Sequence, residues 1–263
     1  MPFIELRGCR FHYQRFGQPS HRPPIVYLHG LIMDNLSSAY FTFAHRLSEE
    51  GEVILFDLRG HGASAITSTG YKVKELVDDL IELLDHLELQ RSVHLVGCSF
   101  GGLLALATAR DYPNRVSSIA LIDGHLEKVS FLQQLTKDLT SKGAERTALI
   151  SHHFQHWLHR DRPRKRAKLE KRAQKLIFDT TLIQDLSMAH NQDEDLAWLS
   201  RINHPVLALY GAASDALEVG QLISNYIPEC KLTIFKKATH AILWEATDEV
   251  IEALHLYFRQ VSQ

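Results

Sequence analysis

The 263-residue sequence predicts an α/β fold: a mostly parallel central sheet flanked by helices, with a helical lid inserted late in the chain. Three observations carry that prediction. Short, predominantly apolar runs recur at 25–28, 53–56, 93–96, 119–122 and 206–210, and a strand without regular polar alternation is one buried on both faces. Helix-period stretches separate most of these runs, the rhythm of parallel strands joined by crossover helices. Between Asp123 and Val206 the strand rhythm stops and only helical periodicity remains, over a length no simple connection reaches. The chain therefore divides into a first core part at 1–123, an inserted lid at 124–205 and a second core part at 206–263.

Residues 3–7 and 11–16 alternate apolar and polar around Gly8, which predicts an antiparallel hairpin at a sheet edge. A proline-bearing loop leads into Ile25-Val26-Tyr27-Leu28, followed by His29-Gly30. Residues 38–49 predict a helix that stops at Gly51, and Val53–Phe56 the next strand. From Val73 to Leu87 the apolar positions mark one helix face. Strand 93–96 runs into the turn 97–101 and a helix over 102–109, which ends before Pro113 because proline disfavours helical geometry in the residue ahead of it. Within the insertion the period predicts helices near 129–139, 144–158, 164–178 and 180–189. After it come a strand at 206–210, a helix at 216–226, a strand at 231–235 and a terminal helix from about 246 to 260.

Composition excludes several classes of protein. The formal net charge of −2 gives no bulk attraction to nucleic acid or an anionic membrane. Three cysteines, Cys9, Cys98 and Cys230, form neither a metal-ligand spacing nor a disulfide framework. No apolar run approaches the roughly 20 residues of a membrane span, and the N-terminus lacks the pattern of a secretory signal. The expectation is a cytoplasmic protein without a membrane span, metal or cofactor.

Chemistry concentrates at the ends of the predicted strands. Gly97-Cys98-Ser99-Phe100-Gly101 reads as a sharp strand-to-helix turn with a serine at its apex. A serine hydroxyl needs a base within reach, an acid to hold that base, and donors for a developing oxyanion. His29-Gly30-Leu31 follows the strand at 25–28, where the glycine lets the backbone approach and Leu31 can offer an N–H beside that of Phe100. His29 itself reads as a brace for this loop. Gly211-Ala212-Ala213-Ser214-Asp215 offers a carboxylate, and Ala238-Thr239-His240 offers the base. The order Ser, Asp, His is the one expected for such a turn.

With these stretches assembled, the sequence resembles the α/β-hydrolase fold superfamily over nearly its whole length. The resemblance rests on Leu28-His29-Gly30-Leu31, Asp57-Leu58-Arg59-Gly60-His61-Gly62-Ala63-Ser64, the turn at 97–101 with Gly102, Tyr112-Pro113-Asn114-Arg115-Val116, and His240 followed by Glu245. It implies Ser99 as nucleophile, His240 as base, Asp215 as acid, Leu31 with Phe100 as the oxyanion hole, and a helical cap over 124–205. Two departures stand out. Asp215 lies four residues after Gly211, where the family commonly places its acid three after, and Asp123 occupies a position that some relatives use instead. Branches that attack carbon with an aspartate, the haloalkane dehalogenases and epoxide hydrolases, do not match a serine at 99. The expected activity is cleavage of an ester or thioester of a small or medium acyl substrate through an acyl-enzyme. The alternatives are C–C bond hydrolysis of a ring-cleavage-type diketone and a non-catalytic ligand-binding member of the fold.

The insertion carries the remaining clues. Residues 160–175 hold nine basic and two acidic side chains, a local charge of +7 that leaves −9 for the rest of the chain. Such a run is either a solvated helix face or a docking patch, and Arg164, Lys165 and Arg166 are the candidate contacts to an acyl carrier protein or coenzyme A. Little aromatic interleaving argues against nucleic acid. His152, His153, His156 and His159 have a spacing that can bind metal, but no carboxylate or cysteine stands suitably beside them. Phe154, Trp157 and Phe178 are expected to pack the lid or line an acyl pocket.

Overall fold

The computed structural model describes residues 2–126, 163–190 and 196–262, with the side chains of 163–167, 170 and 187–190 excepted. The predicted helices at 129–139 and 144–158, the histidines at 152, 153, 156 and 159, and Phe154 and Trp157 lie outside the described residues. So do the side chains of Arg164, Lys165 and Arg166, whose backbone belongs to a helix. The division at 124 and 205 falls around these stretches.

The N-terminal hairpin forms as β1 (Phe3–Leu6) and β2 (Cys9–Phe16), turning through Arg7 and Gly8. The buried runs become β3 (Ile25–Leu28), β4 (Val53–Phe56), β5 (Val93–Cys98), β6 (Val116–Ile122), β7 (Val206–Gly211) and β8 (Cys230–Phe235). They make one eight-stranded sheet in the order β1-β2-β4-β3-β5-β6-β7-β8. Only the pairings within the hairpin and of β2 with β4 are antiparallel. From β4 to β8 every pairing is parallel, so all these carboxyl ends meet at one rim.

The helices predicted within the described residues follow the periodicity closely, with one exception. The single helix expected over 38–49 is two short ones, α1 (Ser37–Tyr40) and α2 (Ala44–Leu47). Between them the Thr42 N–H turns to the Ala39 carbonyl while its hydroxyl takes the Ser38 carbonyl at 2.5 Å, which diverts the helical ladder. Next come α3 (Val73–His86), α4 (Phe100–Asp111), α5 (Pro163–Phe178) and α6 (Leu182–His190). The chain ends with α7 (Leu217–Tyr226), α8 (Ile242–Glu245) and α9 (Thr247–Val261). Helices α3, α4 and α7 cover one face of the sheet, and α1, α2 and α9 cover the other.

Helices α5 and α6 sit over the loop that leaves β4. Arg172 donates to the carbonyl oxygens of Gly60 and His61, both at 3.2 Å, and to that of Ser64. The Thr181 N–H donates to the Ser68 carbonyl at 2.8 Å, and Asp185 accepts the Tyr71 N–H. Among the described residues, no helix is long and apolar enough to cross a membrane.

Candidate active site

Ser99 is the first residue beyond β5 and the N-cap of α4. Its backbone adopts φ 53° and ψ −119°, a strained conformation for a residue with a side chain. Packing imposes it. A methyl group on Gly101 would lie 1.9 Å from the Leu28 carbonyl oxygen, and one on Gly97 would lie 2.4 Å from that of Gly101. Two glycines thus let α4 start hard against β3 and β5, and the chain can turn there only by lifting Ser99 above the rim.

His240 meets that serine: its Nε2 lies 3.0 Å from Ser99 Oγ. Nε2 therefore accepts the hydroxyl proton, because Nδ1 donates its own to Asp123 Oδ2 at 2.6 Å. Glu245 steadies the histidine loop by accepting the Thr239 N–H at 2.7 Å. Burial lowers the His240 pKa, but the hydrogen bond and charge of Asp123, with smaller help from Asp215 and Asp34, raise it above the ordinary imidazole value. A quarter of the His240 side chain remains exposed, so the imidazole keeps contact with solvent.

The carboxylate against His240 is Asp123, not the expected Asp215. Register explains why Asp123 is in place. Cys98 pairs with Ile122 and Ile122 with Leu209, which sets Asp123 between the ends of β5 and β7. The Gly211 N–H donates to Asp123 Oδ1 at 2.9 Å, and the Ser214 hydroxyl donates to Oδ2. The side chain is wholly inaccessible to solvent, and a buried carboxylate needs such donors. Turn geometry explains why Asp215 is not. The Ser214 N–H bonds the Gly211 carbonyl, which carries the third residue after the glycine inward and leaves Asp215 on the surface. Ser214 thus occupies the family's usual acid position and serves the acid instead.

Leu31 and Phe100 are both buried. Outside regular helix and strand pairing, neither N–H donates to an acceptor among the described residues. The approach of the Leu31 loop is close: a methyl group on Gly30 would lie 3.4 Å from Ser99 Cβ. His29 braces this loop, accepting the Leu58 N–H at Nε2 (2.9 Å) and lying 2.7 Å from the Gly30 carbonyl at Nδ1.

Three contributors escaped the sequence reading. Asp34 accepts the Gly30 N–H at 2.7 Å. His61 accepts the Ile32 N–H at 2.7 Å, and burial drives its pKa down to about 3, so it stays neutral. His125 packs its ring 5.1 Å from that of His240 and is likewise held well below the ordinary value by burial. His61 lay in a quoted motif without a role, whereas nothing in the local sequence marks Asp34 or His125. Cys98 is a buried packing residue under the turn, its thiol pushed well up by burial. Among the described residues no group of side chains could hold a metal ion.

With this geometry in place the relatives can be set beside it. A family model described as the alpha/beta hydrolase fold matches residues 23–247, and the chain belongs to that family. A proline iminopeptidase of Lactobacillus helveticus is 35% identical over 127 residues, 46% of this chain and 41% of that protein. Epoxide hydrolase 4 of Mus musculus is 31% identical over 125 residues, 46% of this chain and 33% of that protein. The chain thus matches less than half the length of these curated relatives. A thermophilic esterase from Thermogutta terrifontis superposes with a TM-score of 0.78 at 20% identity, covering 100% of this chain and 99% of that one.

Proposed function

We propose that this protein is a serine hydrolase that cleaves a carboxylic ester or thioester through an acyl-enzyme. The observation that carries the reading is the unbroken hydrogen-bonded line from Asp123 through His240 to Ser99 Oγ. In that line His240 takes the hydroxyl proton as Ser99 attacks a carbonyl carbon, and Asp123 stabilises the imidazolium that forms. The N–H groups of Leu31 and Phe100 are the proposed donors to the oxyanion, with the Phe100 N–H at the start of α4, where the helix dipole favours negative charge. His240 then returns its proton to the departing alcohol or thiol, and water completes the cycle from the acyl-serine.

The proposed substrate is a small or medium acyl group, with coenzyme A or a carrier protein as the candidate leaving group. Support for that leaving group is the +7 charge of residues 160–175. The esterase and peptidase names of the relatives support attack on a carbonyl without selecting the bond. A fluorophosphonate probe should label the protein at Ser99, and p-nitrophenyl butyrate should release an early burst of p-nitrophenol. Ser99→Ala should abolish both and leave the thermal melt in place. Full turnover by Ser99→Ala would overturn the reading, and activity on a ring-cleavage diketone alone would move it to C–C hydrolysis.

A further inference from the structure

A cavity of about 500 Å³ lies away from the triad, lined by Arg10, the loop Gly62–Ile66, and Lys168, Lys171, Arg172 and Lys175 of α5. Five of its side chains are cationic and none is acidic. The four from α5 are spaced i, i+3, i+4 and i+7, which puts them on one helix face. Arg10 reaches the cavity from a separate element, β2. The spacing alone would suit a solvated helix face; convergence of a strand cation with the helix stripe on one open cleft does not arise from a helix by itself.

Among the described residues, several surface cations sit against a carboxylate, and the exposed ones at the cavity do not. Elsewhere Arg15 pairs with Glu52, Arg22 with Glu50, Arg46 with Asp248, Lys74 with Asp78 and Arg115 with Asp85. Among the described residues, Arg10, Lys168, Lys171 and Lys175 have no carboxylate partner, and all four are exposed. Arg172 is committed to the carbonyl oxygens of the loop, so it fixes α5 against the cavity wall. Three of the loop's N–H groups are taken as well: Ala63 donates to Asp57, Ser64 to His61, and Ala65 to Arg10. The cavity thus presents three ammonium groups and one further guanidinium. Lysine ammoniums are point charges without the planar fork that matches a carboxylate, and their accumulation suits a compact multivalent anion.

The geometry points to a binding site for the phosphate groups of a small ligand. Antiparallel pairing of β2 with β4 carries Arg10 to the rim where the parallel strands end. Three strand spacings separate β2 from β5 in the sheet, about 14 Å, a span that one extended molecule can bridge to Ser99. The phosphates can therefore belong to a substrate's leaving group or to a separate small effector.

Calorimetric titration with inorganic pyrophosphate, on wild type and on Ser99→Ala, tests the site without requiring turnover. Saturable binding that weakens with salt is expected, with affinity falling at least tenfold in Lys168→Gln/Lys171→Gln/Lys175→Gln and at least threefold in Arg10→Gln. Absence of saturable binding to wild type, or equal affinity in both variants and wild type, overturns the proposal; thermal melts show that each variant is folded. A second arm rests on the ester or thioester reading and identifies the source. If the substrate carries the phosphates, the triple variant should lose at least fivefold more kcat/KM on butyryl-coenzyme A than on p-nitrophenyl butyrate. If an effector carries them, pyrophosphate should change wild-type turnover of p-nitrophenyl butyrate, an effect lost in the triple variant.

Discussion

Asp123 and Asp215 differ by what surrounds them, and their replacement should separate them. Asp123 is buried and sits 2.6 Å from His240 Nδ1, whereas Asp215 is exposed and acts on His240 only through its charge. Asp123→Asn should lower kcat by about three to four orders of magnitude, because an amide no longer holds the required tautomer. Asp215→Asn should change kcat less than about threefold, the scale of a surface charge effect. Its signature is instead in the pH profile. Activity needs neutral His240, so the rate falls as pH drops through a pKa raised above 6.5. Removing the Asp215 charge should shift that limb to lower pH. Ser214→Ala should shift it the other way, since an Asp123 with one donor fewer is a stronger partner for the imidazolium. Kinetics from pH 5 to 9 read all three variants, and a threefold loss in Asp123→Asn would return the acid's role to Asp215.

At the scale of elements, the elbow depends on how closely α4 approaches β3 and β5. An added methyl at Gly101 meets backbone, the Leu28 carbonyl at 1.9 Å, which cannot rotate away. Gly101→Ala should therefore destabilise the protein by about 3 kcal/mol or more, lowering Tm by about 6 °C or more. A thermal melt within 1–2 °C of wild type would show that the elements can part at no cost. Element identity was largely legible, because buried runs such as Val53–Phe56 have one reading in a rhythm of strands and helices. The split of α1 from α2 was not, since it comes from a back-bond by Thr42 that apolar spacing does not encode.

Across the whole molecule, several histidines are buried in neutral form. His61 is held near 3 and His94 near 4, both chiefly by burial, and His125 lies well below the ordinary value. In the unfolded chain each takes a proton near pH 6.5, so below that pH the unfolded state binds more protons and stability falls. His240, with its raised pKa, works in the opposite sense but is one group against three. Between pH 7.5 and pH 5, His61 and His94 should each cost about 2 kcal/mol, at about 1.4 kcal/mol per pH unit below 6.5. Urea midpoints at the two pH values check this, and an equal or higher midpoint at pH 5 would contradict it.

Sequence by itself determined the sheet, the elbow, the histidine that meets Ser99 and the loop at His29–Leu31, because each is written in contiguous residues: an apolar run, a glycine spacing, a histidine beyond a strand. Which carboxylate meets His240 was decided by tertiary structure alone. Asp123 and Asp215 both follow strands, and only the register of β5, β6 and β7 shows which carboxylate reaches His240. The same holds for the basic run at 160–175. Its charge could be counted along the chain, but the meeting of Lys168, Lys171 and Lys175 with Arg10, more than 150 residues away in sequence, exists only once α5 has packed on the loop beyond β4. Local patterns record which groups a strand end presents; long-range pairing decides which of them share a space.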